Sequence, residues 1–555
     1  MATEARDYLT QHNVETKLME AIRMVTKERP LDPIMAIGQH LINGGGCDIS
    51  DATETSKSGS LKAVTWNIAA INNNPFEYWL THPDANYEVL MKDVQDFVEA
   101  PGDKDCTVGS VFTPGMFEEL TALMDAQGWE AAEPCAAAFA ELAERKIISG
   151  FLKDAGLGNK RLMSMPDRMT NTIDVAGGGF AYRPSVISSF DGDMATVATW
   201  WAAWKDFHFL APLTLPVKGG STQAKLPCQL LSKIPRSKYP ALSEEEEAMS
   251  LRLQTLCLAI FDAVLVHMLN VVSPSGEWLQ LKRGILDALL HKKEARTVGI
   301  LQAPPFMDSD VIFLQEVRTT NGLAAALAND YACVTPNPPS KADQNSVILL
   351  RKSRFGPSVA AEDVTAAARA LWPKDGAKIS DGDLLVIKAP DAHGNKFLLA
   401  SFHGDTDGLG TSPTVAAVCA LAATLPDYTV VFGLDANTYQ KPKAGKQAGV
   451  ATFLEEVANH GYAASCGSST EVRTTFCART YLQPQLQKAC KANEKKSKGD
   501  YNSKDYILFS SSSMAVSNYG AANTVTGAHD QEMVIPTLEW PSDHSLLHTT
   551  FTLKK

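Results

Sequence analysis

The spacing of apolar positions divides the chain into stretches of different texture. Between residues 8 and 42, in YLTQHNVETKLMEAIRMVTKERPLDPIMAIGQHLI, Val14, Leu18, Ala21, Ile22 and Val25 fall on one face of a helix. Arg29-Pro30 ends that helix. Asp32-Pro33 begins another, with the aspartate as N-cap and the proline in the first helical position. Ile34, Ile37 and Leu41 stripe the second helix. About 40 residues is near the lower limit for an unassisted domain, so the hairpin of residues 1–45 is expected to pair with a copy of itself or to pack on the rest of the chain. A small, polar run follows, and residues 46–60 read as a flexible linker.

A domain begins at Leu61, and its texture changes twice. Residues 80–305 carry helical patterns such as MFEELTALMDAQGW and AAAFAELAERKIISGFL. Ser243 with Glu246 reads as a capping box, which makes the acidic run Glu244–Glu247 the first turn of a helix. Trp200, Trp201, Trp204 and Phe207 have helical spacing and are expected in a core, the alternative being a surface for stacking a ligand. The longest apolar stretch, Leu251 to Val272, contains Arg252, Asp262, His267 and Asn270, and reads as a buried helix, with no membrane-spanning segment in the chain. From Asp310 onward, short apolar strands alternate with helices: DVIFLQEV, NSVILLRK, DLLVIKAP, KFLLASFHG, YTVVFGLDANT, SKDYILFS and HSLLHTTF. This is the pattern of an α/β domain with buried sheets.

Composition narrows the partners. The 555 residues are 45% hydrophobic and 21% charged, ordinary globular material, and the net charge of −12 argues against non-specific nucleic-acid binding by the whole surface. Ten cysteines without a C-x-x-C pair favour neither zinc nor a disulfide scaffold, and MATEARDYLTQHNVE lacks an apolar leader. A reducing, cytoplasmic setting is therefore expected.

Polar side chains of one chemical type mark the ends of the strands. KAVTWNI ends in Asn67, DVIFLQEV carries Gln315-Glu316, FLLASFHGDTDG carries His403 and Asp405, and YTVVFGLDANTY carries Asp435 and Asn437. SKDYILFS opens with Asp505, and LEWPSDHSLLHTTF holds Asp543 and His544. Rigid strand ends suit a site that must be held in position. Carboxylates with amide oxygens form a ligand set for Mg²⁺ or Mn²⁺, and phosphoester hydrolysis needs charge neutralised on phosphate oxygens, an activated water and help for the leaving oxygen.

The ordered set N…QE…H…DxN…D…SDH resembles the endonuclease/exonuclease/phosphatase superfamily, the DNase I-like group, over residues 61–79 and about 310–555. The resemblance implies a four-layered α/β sandwich of two packed sheets flanked by helices, and a metal-dependent phosphoesterase activity with a nuclease-like substrate favoured. It implies Glu316 as the principal Mg²⁺ (or Mn²⁺) ligand with Asn67 beside it. Asp435 would orient the attacking water, Asn437 would hold the phosphate or nucleophile, and His403 would contact or protonate the scissile phosphate. His544 would be a second catalytic histidine polarised by Asp505, with Asp543 supporting the metal or that histidine. Which histidine is the base stays open. Since about 250 residues separate Asn67 from Glu316, the helical stretch 80–305 is expected to be one large insertion, either a substrate-selecting lid or a stabilising appendage. SKDYIL stands where inositol phosphatases carry their signature, which lowers that substrate class.

Arg473, Arg479, Lys488, Lys491, Lys495, Lys496 and Lys498 make a local positive stretch before Asp505, either a draw for a phosphate-rich substrate or a solvated loop. Arg479 and Asn345 are the candidate substrate contacts. The N-terminal hairpin resembles the RII-like dimerisation/docking module of Dpy type through Tyr8-Leu9, Val14, ERPLDPI and Leu41-Ile42. That resemblance implies a homodimer whose groove, formed by residues 8–42, binds an amphipathic helix of an anchoring protein, with the cytoplasm or a cilium as its place. The alternative function is a catalytically silent scaffold recruited into a ciliary or chromatin assembly.

Overall fold

In the computed structural model, residues 59–554 are described, apart from 218–219, 319–320, 337–343 and 470. The docking hairpin and most of the linker lie outside the described residues. Twelve strands build the two largest sheets: β1 (Ser60–Asn67), β2 (Val311–Val317), β3 (Tyr331–Val334), β4 (Asn345–Arg351), β5 (Glu362–Asp363), β6 (Leu384–Pro390), β7 (Lys396–His403), β8 (Thr429–Asp435), β9 (Tyr462–Ala464), β10 (Asp505–Ser510), β11 (Met514–Ala522) and β12 (Leu546–Leu553). One six-stranded sheet has the order β11-β12-β1-β2-β4-β3, the other β9-β10-β8-β7-β6-β5.

The two sheets repeat one arrangement. Each has a parallel pair at its centre, β1 with β2 and β7 with β8, flanked by antiparallel neighbours. Their sequences read as nearly continuous apolar runs because both faces are buried. Leu61, Ala63, Val311 and Phe313 of the first sheet share one core with Ile387, Phe397, Leu399 and Val431 of the second. The alternate residues Val64, Trp66, Ile312 and Leu314 join a cluster with Ile300 and Leu301, while Leu398, Ala400 and Phe432 join one with Val415, Val418 and Phe453. Gly433 permits a close approach of the sheets: a Cβ there would stand 2.5 Å from the Phe313 side chain.

Between β1 and β2 the chain makes helices, including α1 (Ala85–Glu99), α2 (Ser250–Val272), α3 (Glu277–Leu286) and α4 (Lys293–Leu301). The first three share a core of their own, centred on α2, while Ile300 and Leu301 of α4 pack under the first sheet. Among the described residues α2 is the one helix long and apolar enough to cross a membrane, and its apolar window is 78% buried inside the fold. Its polar residues are paired there. Asp262 meets Arg183 Nε at 3.0 Å and accepts from Ser185 Oγ at 2.7 Å and Trp204 Nε1 at 3.0 Å. The tryptophans are therefore core, as their spacing predicts, and Ser243 and Glu246 form the expected reciprocal cap. The 478–490 segment contributes Ala478, Tyr481, Leu482 and Cys490 to the same core.

Candidate active site

Strand register brings the polar ends together. In the first sheet Asn67 lies opposite Gln315, one residue before Glu316. In the second, His403, Asp435 and Asp505 lie in one row across β7, β8 and β10. The ends of the two parallel pairs meet, and a continuous chain of contacts results. The buried Asn67 donates through Nδ2 to Glu316 Oε1 at 3.1 Å and to Asp435 Oδ2 at 2.9 Å. His403 Nε2 stands 3.2 Å from Glu316 Oε1 and 3.8 Å from Asp435 Oδ2. His544 Nε2 approaches the same Asp435 oxygen at 3.6 Å, and its Nδ1 is 2.9 Å from Asp505 Oδ2.

The backbone is held in rare conformations at this point. Glu316 has φ 56° and Asn437 has φ 49°, left-handed values that non-glycine residues keep only where the surroundings enforce them. The Ala70 N–H donates to Glu316 Oε2 at 2.9 Å and so fixes that carboxylate. Asn437 is fixed three ways: its N–H donates to Asp435 Oδ1 at 2.9 Å, its Nδ2 to the Gly404 carbonyl at 2.9 Å, and its Oδ1 accepts from Lys504 Nζ at 2.8 Å.

Apart from Asp505, sequence reasoning missed the residues that hold His544. Ser542 Oγ accepts from the His544 N–H at 3.0 Å and donates to the Asn67 carbonyl at 2.6 Å, tying the last strand to the first. The Trp66 and Trp540 indoles both donate to the His544 carbonyl, at 3.1 and 2.9 Å. It also missed Lys504, buried between Asn437 and Asp500, whose carboxylate it meets at 2.6 Å. The only signal available was its place in SKDY, directly before Asp505.

Burial and pairing set the charges. Burial opposes protonation of His403, but the hydrogen bond and charge of Glu316, with Asp435 and Asp383, push its pKa up to about 9. Burial likewise works against the Glu316 carboxylate, which the His403 contact, the Ala70 N–H and the Asn67 amide nevertheless hold well below the usual carboxylate range. For His544, burial is outweighed by the charges of Asp505 and Asp435, and its pKa lies well above the ordinary value.

The remaining candidates stand at the rim. Asp543 is partly buried, 3.9 Å from Cys477 Sγ, and outside the chain of contacts above. Asn345 begins β4 opposite Val317 and donates to its carbonyl at 3.4 Å, and the neighbouring Gln344 amide reaches Glu316 Oε2 at 3.2 Å. Arg479 pairs with Glu77 and lies 5.4 Å over the Tyr78 ring, in a cleft that Asp543 also lines. Asp405 caps its own turn, accepting from the Gly410 N–H at 2.6 Å.

The donor set fits a hard divalent cation. Glu316 Oε1 and Asp435 Oδ2 converge on the same two groups, Asn67 Nδ2 and His403 Nε2, so carboxylate oxygens of both sheets are brought together there. Asp435, Asp505 and His544 form a buried group, each offering a ligand atom within 4.8 Å of the others. A set rich in carboxylate oxygen and without thiolate suits Mg²⁺ or Mn²⁺.

Comparison with known proteins gives partial matches. Residues 4–44 match the Dpy-30 motif, and residues 105–283 match a domain of unknown function, DUF8234. No curated protein matches the chain. Solved structures similar to it include the human Nocturnin catalytic domain with bound sulfate, at 13% identity over 47% of this chain and 87% of that one, with a TM-score of 0.31. Another is TDP2 of D. rerio complexed with a single-strand DNA product, at 17% identity over 48% and 96%, TM-score 0.30. A third is an endonuclease/exonuclease/phosphatase from Bacteroides vulgatus, at 13% identity over 48% and 92%, TM-score 0.31. The Dpy-30 match falls on the residues whose pattern resembles the Dpy-type hairpin.

Proposed function

We propose that this chain is a divalent-metal-dependent phosphoesterase, acting on a phosphodiester of nuclease type, with its two sheets and outer helices arranged as the four-layered sandwich of that superfamily. The observation that carries the reading is the unbroken line of contacts from Asp505 through His544, Asp435 and Asn67 to Glu316 and His403.

Each residue has work suited to its surroundings. Asp505 accepts from His544 Nδ1, which turns Nε2 toward Asp435 and the space where the attacking water would lie. Asp435 orients that water. His403, favoured in its charged form, faces the developing charge on the phosphate. Asn437, locked by three hydrogen bonds, presents a fixed edge to the phosphate or the nucleophile. Glu316 and Asn67, with Asp543 nearby, would hold Mg²⁺ or Mn²⁺, which supplies charge neutralisation on a non-bridging oxygen. The Dpy-30 match supports a docking hairpin; in this reading it is homodimeric and anchors the enzyme through a partner's amphipathic helix, and the enzyme works in the cytoplasm or a cilium.

The experiment is hydrolysis of bis(p-nitrophenyl) phosphate by the purified protein with Mg²⁺ or Mn²⁺. Turnover that a chelator abolishes and that Glu316→Ala and His544→Ala both remove supports the reading. No turnover by the natural chain, or full turnover in both variants, rejects it, and the first result favours the silent scaffold.

A further inference from the structure

Two clefts adjoin beside this site. The first, of about 930 Å³, has Asp543, Asp500 and Asn502 at its catalytic end and is lined by Tyr439, Arg473 and Arg479. The second, of about 1400 Å³, is walled by Lys153, Arg161 and Lys238 of the helical insertion and by Tyr481, Lys488 and Lys491 opposite. Gln487, Lys488, Ala489 and Lys498 line both, so the clefts meet along that segment.

The shared lining is cationic on a protein of net charge −12. Some of its charges are structural ties: Lys491 pairs with Glu99 at 3.1 Å, Lys496 with Glu532 at 2.6 Å, and Lys498 with Glu494 at 2.7 Å. Others are not. Lys153, Lys238, Lys441, Lys443 and Lys488 are exposed and make no ion pair among the described residues. Lys488 lines both clefts, with Arg479 in the first and Arg161 in the second. Tyrosine rings lie among the cations of both clefts. The Arg473 guanidinium lies 5.4 Å over Tyr501 and Lys238 Nζ 5.7 Å over Tyr239, while Tyr439 lines the first cleft.

We propose that the two clefts form one channel for single-stranded nucleic acid, running from the catalytic cluster across residues 487–498 onto the helical insertion. The chemistry at its inner end rests on the phosphoesterase reading; the binding does not. A strip of cations meets successive phosphates, and tyrosine rings between them stack on unpaired bases, which a duplex does not offer. A compact polyphosphate calls for one tight cluster of cations, whereas these are spread over two clefts. The insertion thereby becomes an extension of the substrate surface.

The test is fluorescence anisotropy of labelled 20-nucleotide poly(dT) and poly(U) on the full chain, with EDTA present so that nothing is cleaved. The Lys153→Glu/Lys238→Glu/Lys488→Glu variant is expected to weaken binding at least about tenfold. The slope of log affinity against log salt should become shallower by roughly 2, at about 0.7 per phosphate contact. Lys441→Glu/Lys443→Glu, at the other end, should weaken binding in the same direction, and melting curves establish that each variant is folded. Unchanged affinity and slope in both folded variants overturn the channel. So does a 20-base-pair duplex that binds the natural chain as tightly, or inositol hexakisphosphate that displaces the strand at stoichiometric concentration. Charge-dependent strand binding by a natural chain that leaves bis(p-nitrophenyl) phosphate intact removes the phosphoesterase reading and keeps the channel. Turnover of that small diester with charge-independent strand binding does the reverse.

Discussion

The helical insertion and the sheet ends each bury a group of charges, and the two groups are solved differently. In the insertion, Arg183 faces Asp262 at 3.0 Å and Asp167 at 2.8 Å, and Lys282 Nζ donates to the Ser185 and Phe190 carbonyls at 2.8 and 2.6 Å. Opposite charges and carbonyls are matched there, deep among apolar side chains. At the sheet ends, Glu316, Asp435 and Asp505 are gathered around two imidazoles, and the backbone is strained at two of the residues involved. Burial alone does not separate the groups. Like charges held together at strand ends beside a cleft mark a place for chemistry, while a closed pair inside a helical core is a structural device.

This contrast can be broken at several points. The largest expected effect is on turnover. Glu316→Gln and His544→Ala should each lower hydrolysis of a small diester by roughly 10³-fold, with melting curves little changed. If either variant unfolds at room temperature, its side chain serves the fold and the contrast fails. Asp262→Ala should do the opposite, costing about 3–5 kcal/mol in urea denaturation because it strips a buried partner from Arg183. Adding Arg183→Met to an Asp262→Leu change should recover most of that loss, since an apolar pair of similar volume needs no hydration.

Lys504 tests the border between the two kinds of group, being matched to Asp500 like a structural charge while it also grips Asn437. Lys504→Met should reduce kcat by about 10–100-fold through a displaced Asn437, and Lys504→Arg should recover part of it. A loss of stability with kcat intact would move Lys504 to the structural side. The smallest effect concerns acid. Burial holds His208 in the insertion neutral, with a pKa pushed down to about 3. The unfolded chain therefore binds more protons between that value and about 6.5, so stability falls as pH drops through this window, by up to about 1.4 kcal/mol per pH unit. His208→Phe should flatten that slope in denaturant titrations at pH 7 and 5.5.

The site was legible because its signal is local to each strand: an apolar run closing on Asn, Glu, His or Asp says what stands at that end. Two parallel central pairs then need only meet for the separate ends to assemble. What holds the ends was not legible. Ser542 reaches the Asn67 carbonyl across 475 residues, and nothing near either position announces it. The basic stretch before Asp505 illustrates the same limit. Lys495 reads as available for a substrate, yet it pairs with Glu88 at 3.1 Å and covers the Trp79 ring at 4.1 Å, some 400 residues earlier. In α2 the presence of Arg252 and Asp262 was enough to argue for burial inside protein, because a charge in a long apolar run demands partners; the identity of Arg183 as partner was not.

The pairing of β1 with β12 also bears on synthesis. The first strand of the sheet waits for its antiparallel neighbour until nearly five hundred further residues have been made. At ~5–20 residues per second that interval is roughly half a minute to a minute and a half, during which an apolar edge stays open on the ribosome. The helical core waits nearly as long, since Ala478, Tyr481, Leu482 and Cys490 belong to it. Until the last strand is added, the first sheet lacks both His544 and the Ser542 tie that joins that strand to Asn67.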